Sequence, residues 1–226
     1  MDFMKILRSL EELVFEVMSW LVFYPLVFFR TLFVPRRMLD HAHAELLKPD
    51  DEQFDDALSP PLFLMLSLLI SHLARVGIGP LAPTPLPDFP IKALRSHENV
   101  VVFQSMLYGL FPLLFALERT LTARQALTRK TLRGHVYPEY FPGAVYALVM
   151  SIALMVAAGW PALSAPAVLV SVAISVWYVV VEAFWRRHNG YGRAHAFLTA
   201  FGCFLLAWGV VFVMALAISV ASGKAA

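Results

Sequence analysis

Polar side chains inside apolar stretches are the residues of this chain best placed to do chemistry. His72 and Arg75 lie three positions apart in one apolar stretch, so a helix would carry them on one face, and Gln104 lies in the next stretch. Ionisable groups in hydrocarbon are costly and often mark proton or anion sites. The three residues are therefore a candidate intramembrane polar site. The alternative is that Arg75 extends to the membrane surface while His72 stays neutral in the interior.

The sequence lacks the motifs typical of catalysis and cofactor binding. It has no G-x-S-x-G and no H-E-x-x-H, and we find no paired carboxylates inside its apolar stretches. Glu182 precedes Arg186 by four residues, which predicts an ordinary helix-end ion pair. His41 and His43 have no third ligand at a characteristic spacing. We therefore expect no catalytic residues, no cofactor and no metal, and we expect the protein not to be an enzyme.

The elements that carry these residues are predicted to be membrane-spanning helices. Hydrophobic residues make up 59% of the chain, and the apolar stretches show no strand-like alternation. A helix needs about 20 apolar residues to cross a bilayer. Five stretches fit: Leu62 to Ile78, Val100 to Leu117, Phe141 to Trp160, Pro166 to Phe184, and Ala196 to Ala221. The sequence predicts an all-α integral membrane helical bundle of about five transmembrane helices.

Basic residues predict the orientation, because short cytoplasmic loops retain Lys and Arg. The connection after the second predicted span is rich in basic residues, namely Arg119, Arg124, Arg129, Lys130 and Arg133. The connection after the fourth has Arg186, Arg187 and Arg193, whereas residues 161–165 between the third and fourth spans have none. We expect a cytoplasmic N-terminus and an outside C-terminus. The Arg-rich, Ala-rich composition favours a bacterial inner membrane.

The N-terminal segment, residues 1–37, has an amphipathic helical pattern. Apolar residues recur at helical spacing, while Lys5, Arg8 and Glu12 lie on other faces. Pro25 and Arg30 interrupt a span, so we expect an interfacial or re-entrant helix, with a sixth span as the alternative. Residues 38–61 are predicted to form a polar cytoplasmic linker, and residues 62–226 the transmembrane domain.

The basic connection after the second predicted span is a candidate docking site. Its Arg119, Arg124, Arg129, Lys130 and Arg133 could bind anionic lipids or a protein partner. The simpler interpretation is that these charges only set the topology. Expected partners are membrane lipids and other membrane proteins or further copies of the chain, since small residues inside spans allow close helix approach. No nucleic-acid partner is expected.

The approach to the first predicted span resembles a known family. Asp55-Asp56-Ala57-Leu58-Ser59-Pro60-Pro61-Leu62 resembles the D-L-x-G-P motif of the Yip1 family, with Ser59 at the glycine position. The segment from Tyr24-Pro25 to Arg36 is similar to the lead-in of bacterial Yip1-like proteins. The resemblance carries the family motif onto Asp56, Leu58, Pro60 and Pro61. It implies a small non-enzymatic membrane protein that acts through partners or membrane organisation.

Three functions are compatible with these patterns. We favour a scaffold or accessory subunit of a membrane complex, because the polar features concentrate in the predicted cytoplasmic loops. A small lipid or solute permease is the alternative, and it would need polar groups converging at mid-membrane. A membrane enzyme acting on lipid or peptide is the third, and it has no recognisable nucleophile and base.

Overall fold

The computed structural model describes residues 2–49, 52–54, 58–86 and 97–223. Helices are the only regular secondary structure in this part of the chain, which confirms the predicted all-α class. The seven α-helices are α1 (Asp2–Phe33), α2 (Pro35–Glu45), α3 (Pro60–Ile78), α4 (His97–Thr122), α5 (Arg129–Gly159), α6 (Ser164–His188) and α7 (Arg193–Gly223). Short 3-10 turns follow α3 and precede α6.

The protein is an integral membrane helical bundle. Within the described residues, five helical segments are long and apolar enough to cross a membrane: Leu7–Phe33, Pro60–Leu81, Arg129–Gly159, Pro161–His188 and Arg193–Ala217. Four of them overlap predicted spans. The remaining predicted span, Val100 to Leu117, lies within α4, whereas Leu7–Phe33 belongs to the segment predicted to be interfacial.

Local sequence signals explain where the helices begin. Pro60 and Pro61 occupy the first positions of α3, where the missing amide hydrogen costs nothing. A capping box starts α5: the Thr128 hydroxyl accepts from the Thr131 amide, and the Thr131 side chain accepts from the Thr128 amide. Trp160 and Pro161 end α5 and start the turn into α6.

Helices α3 to α7 alternate in direction, so the bundle has two distinct ends. At one end Arg119 near the end of α4 bonds Glu182 near the end of α6, with Nη2 to Oε2 3.1 Å. Arg133 in the first turns of α5 donates to the Gln53 side chain, just before α3, at 2.9 Å. We call this end, where α3 and α5 start and α4 and α6 end, the Arg-rich end.

The interior of the bundle is filled by aromatic side chains. Tyr146 of α5 and Tyr178 of α6 stack with ring centroids 4.9 Å apart, and Phe111 and Phe204 contact both rings. Gly143 brings α5 close to α4, since a Cβ there would lie 2.8 Å from Cγ of Pro112. Tight aromatic packing at this level leaves little room for solvent between the helices.

The second half of helix α1 contacts the bundle. The Tyr24 hydroxyl lies 2.9 Å from Oγ of Ser67 in α3, and the Trp177 indole donates to the Leu32 carbonyl at 3.1 Å. The exposed first half shares a cleft of about 570 Å³ with Gln53 and Ser59, next to the start of α3. The middle of α1 therefore lies beside the start of α3, and its last turn lies beside the middle of α6.

Most of helix α2 lies in residues 38–61, the segment predicted to be a polar linker. Met38, Leu39 and Ala42 are buried, and Leu39 packs on Val181 and Trp185 of α6. Their spacing of three to four residues forms one narrow apolar face in an otherwise polar sequence. This helix covers the Arg-rich end of the bundle beside α5 and α6.

Candidate functional site

Three carboxylates and two guanidinium groups form a connected network beneath α2. Glu182 Oε2 accepts from Arg186 Nη1 at 2.8 Å and from Arg119 Nη2 at 3.1 Å. Arg119 also contacts Glu139 of α5 through Nη1 and Oε1, and Arg186 Nη2 lies 3.0 Å from Glu118 Oε2. The charges thus alternate in the order Glu139, Arg119, Glu182, Arg186, Glu118. We call these five residues the ion network.

The ion network is most exposed at Glu118 and is buried at its other end. The side chains of Glu139 and Glu182 are 0% exposed, that of Arg119 is 9% exposed, and that of Glu118 is 18% exposed. A buried charge is tolerated only when it is paired and hydrogen-bonded. The network therefore has a dry interior end at Glu139 and a hydrated end at Glu118.

Aromatic rings enclose the two arginines. The Arg186 guanidinium lies 4.9 Å from the centroid of the Phe115 ring, and the Arg119 guanidinium lies 5.7 Å from that of Trp185. Such cation–π contacts add attraction where water is excluded. His43 of α2 stacks on Trp185 with centroids 5.5 Å apart. Trp185 thus lies between α2 and the ion network.

Two titratable groups of α2, His43 and Glu45, have shifted pKa values. Burial, with a smaller contribution from the charge of Arg119, lowers the pKa of His43. His43 is therefore neutral in its stacked position. Hydrogen bonds from Lys48 and from the Phe54 amide lower the pKa of Glu45, whose Oε1 lies 2.7 Å from Lys48 Nζ. Glu45 thereby holds the turn after α2 in place.

The predicted docking residues separate into two groups. Arg124, Arg129, Lys130 and Arg133 are exposed at the Arg-rich end, and we call them the basic surface. Arg133 is oriented by Gln53 and by the Tyr137 ring, whose centroid lies 4.9 Å from its guanidinium. Arg119 is buried and its guanidinium is held by Glu139 and Glu182. Its predicted part in docking is wrong, because apolar neighbours and carboxylates occupy its surroundings.

The predicted intramembrane polar residues lie in the half of the bundle away from the Arg-rich end. His72 is buried in α3, and Arg75 is half-buried one turn later. Gln104 is half-buried in α4, and its Oε1 accepts no hydrogen bond from the described residues. Of the residues that resemble the family motif, Leu58 and Pro60 are buried, Pro61 is half-buried, and Asp56 lies outside the described residues.

The sequence reasoning missed Glu139 and therefore the ion network. The expected Glu182–Arg186 pair is present, and Arg119 also joins Glu182 to Glu139. Glu139 precedes the predicted span that starts at Phe141 by two residues, so that span does not include it. The sequence does contain a signal for the network: three consecutive predicted spans have carboxylates or arginines at or next to the ends that lie on the same side of the membrane.

No family model, curated protein or solved structure matches this chain.

Proposed function

We propose that the protein is a non-enzymatic scaffold or accessory subunit of a membrane complex, docking a partner on the basic surface. The supporting observation is a division of the charges. The arginines inside the bundle are bound by carboxylates, whereas the four cations of the basic surface are exposed. Buried paired charges hold helices together, and exposed cations at a membrane surface attract anionic groups. The resemblance to Yip1-like proteins favours the same kind of role.

The positive-inside rule supports placing the Arg-rich end in the cytoplasm. Besides the basic surface, its exposed basic residues include Arg36, Arg37, Lys48, Arg187 and Arg193. Residues 160–164, which join α5 to α6 at the other end, contain no basic residue. The N-terminus is then cytoplasmic and the C-terminus is outside. The composition of the chain favours a bacterial inner membrane.

The partner that fits this surface is another membrane protein with an acidic cytoplasmic segment. Exposed cations give such a contact its orientation and its rate of association. Helices α6 and α7 also present wide apolar faces, with Val168, Leu169, Phe201 and Leu205 exposed, which a partner helix or lipid would cover. A second copy of the chain could occupy the same helical faces.

Charge neutralisation with a matched control tests this function. The variant Arg124→Gln, Arg129→Gln, Lys130→Gln and Arg133→Gln removes four charges from the basic surface. The control Arg36→Gln, Arg37→Gln, Arg187→Gln and Arg193→Gln removes four charges from the same end elsewhere. After cross-linking in native membranes, the first variant should lose its cross-linked protein and the control should keep it. Equal cross-linking in both variants and the wild type would reject the basic surface as the docking site.

A small lipid permease is the second candidate, and one groove favours it. Between α1, α5 and α6 lies a wholly apolar groove of about 400 Å³, bordered by Phe28, Leu148, Val156 and Val170. Its lining and its opening toward the side of the bundle suit an acyl chain. Purified protein in liposomes should then move a fluorescent lipid between leaflets, and His72→Leu should abolish this movement if His72 takes part. Absence of any lipid movement removes this candidate.

A further inference from the structure

The ion network contains one more carboxylate than guanidinium groups. Glu118, Glu139 and Glu182 contribute three negative charges when ionised, and Arg119 and Arg186 contribute two positive ones, leaving a net charge of −1. An uncompensated charge in a site of low polarity costs several kcal/mol or more. One additional positive charge would make the network neutral.

We propose that the ion network is a binding site for one proton, which Glu139 holds and shares with Glu182. Arg119 holds the two carboxyl groups side by side, Glu139 through Nη1 and Glu182 through Nη2. Both are fully buried, and neither Glu139 Oε2 nor Glu182 Oε1 accepts a hydrogen bond from a described residue. Ionised carboxylates only accept hydrogen bonds, so a proton between the two groups supplies the missing donor.

Glu139 carries the proton because Glu182 has the stronger cationic surroundings. Both Arg119 and Arg186 bond Glu182, whereas Arg119 alone contacts Glu139. Two nearby arginines favour the ionised form of a carboxylate more than one does. Two carboxyl groups in contact also cannot both ionise without strong repulsion, so the pair titrates as a unit.

A proton suits this site better than a metal cation. The two guanidinium groups beside the carboxyl pair repel a metal ion. The described residues also contain no cluster of three or more His, Cys, Asp or Glu placed to hold one. A proton needs no coordination sphere and fits between two carboxyl groups that share one guanidinium.

The other titratable groups around the site do not supply the missing charge. His43 of α2 and His135 of α5 face Arg119, whose positive charge disfavours a second cation beside it. Tyr178 of α6 and Cys203 of α7 face the network and are neutral acids near pH 7. The charged residue of α3, Arg75, lies toward the opposite end of the bundle, and Arg30 of α1 is exposed.

Infrared spectroscopy of the purified protein tests the proposal directly. Protein labelled with carbon-13 in its glutamate side chains should show, near neutral pH, the carbonyl stretch of one protonated carboxylic acid per chain. Glu139→Gln should remove this band, because Gln has the shape of the protonated acid but no proton to lose. Glu11→Gln, at an exposed carboxylate outside the ion network, is the matched control and should retain it. A wild-type spectrum without a protonated Glu band at neutral pH would overturn the proposal, even if no variant folds.

The melting temperatures of two variants test the same site independently. Glu139→Gln keeps the network neutral, so its melting temperature in detergent should stay close to that of the wild type. Glu182→Gln removes the acceptor shared by both arginines and should lower the melting temperature strongly. Equal loss in the two variants would contradict a proton on Glu139. If Na⁺ or K⁺ stabilises the wild type but not Glu139→Gln, the site binds a metal cation instead of a proton, and the proposal is overturned.

Discussion

Arginines at the Arg-rich end are chemically alike but have different surroundings. Arg119 and Arg124 lie five positions apart in the same basic stretch, yet one is bound by two carboxylates and the other is exposed. The difference arises because α4 continues to Thr122, so Arg119 still faces the bundle and Arg124 lies beyond it. Charge type alone therefore does not identify a docking residue.

Gly143 gives a residue-scale test of the packing between α4 and α5. Gly143→Ala should destabilise the bundle by about 1–3 kcal/mol, because the added methyl group meets the rigid ring of Pro112. Gly109→Ala is the control, since nothing lies within 4 Å of a Cβ there. Thermal unfolding in detergent measures both. Equal melting temperatures for the two variants would show that this close contact does not limit the packing.

At the scale of elements, α1 combines a sequence suited to spanning with contacts at one end of the bundle. Its segment Leu7–Phe33 is apolar enough to cross a membrane, yet Trp20 and Phe23 in its middle lie beside the start of α3. After α1, Arg36 reaches Nε2 of His188 at 2.9 Å. We therefore expect α1 to enter the membrane without crossing it.

Cysteine labelling from one side of sealed vesicles tests this expectation. In a Cys203→Ala background, single cysteines replace Met4, Leu47 or Leu163, all of them exposed. A membrane-impermeant maleimide should label positions 4 and 47 from the same side and position 163 from the other. Labelling of position 4 together with position 163 would mean that α1 crosses the membrane.

The docking of α2 should depend on pH through His43. The pKa of His43 is lowered when α2 is docked, so His43 binds a proton more readily when α2 is undocked. Docking is therefore fully favourable above the ordinary histidine pKa of about 6.5 and weakens as the pH falls below it.

Spin labels can follow this movement. Labels on cysteines replacing Arg37 and Arg193, in a Cys203→Ala background, should show a broader and longer distance distribution at about pH 5.5 than at about pH 7.5. His43→Phe keeps a ring on Trp185 without a titratable nitrogen, and its distances should not change with pH. An identical pH response in His43→Phe would assign the movement to another group.

At the scale of the whole molecule, the sequence predicted the fold class and most helix positions but not the site. Long apolar runs and prolines at helix starts are local signals, so α3, α5, α6 and α7 could be located from them. The ion network joins residues far apart in the sequence, such as Arg119 of α4 and Glu182 of α6, which are 63 positions apart. Only the packing of the helices decides which of these charges meet. Helix α2 was not predicted from the sequence, because its apolar face has only a few residues.

In the bundle as a whole, the basic surface lies at the same end as the buried ion network. The ion network joins three helices, and α2 covers it, so the Arg-rich end provides a defined surface on which a partner can bind. This arrangement supports the proposed role as a scaffold or accessory subunit, in which the basic surface docks a protein partner.

Isolation of the wild-type chain from its native membrane in mild detergent tests that proposal most directly, with the mass of the intact particle and its components measured by mass spectrometry. We expect one protein partner in fixed stoichiometry, which is lost when Arg124, Arg129, Lys130 and Arg133 are replaced by Gln and kept in the matched control. A chain that is recovered alone or bound only to lipid, with the same result in all three forms, would contradict it.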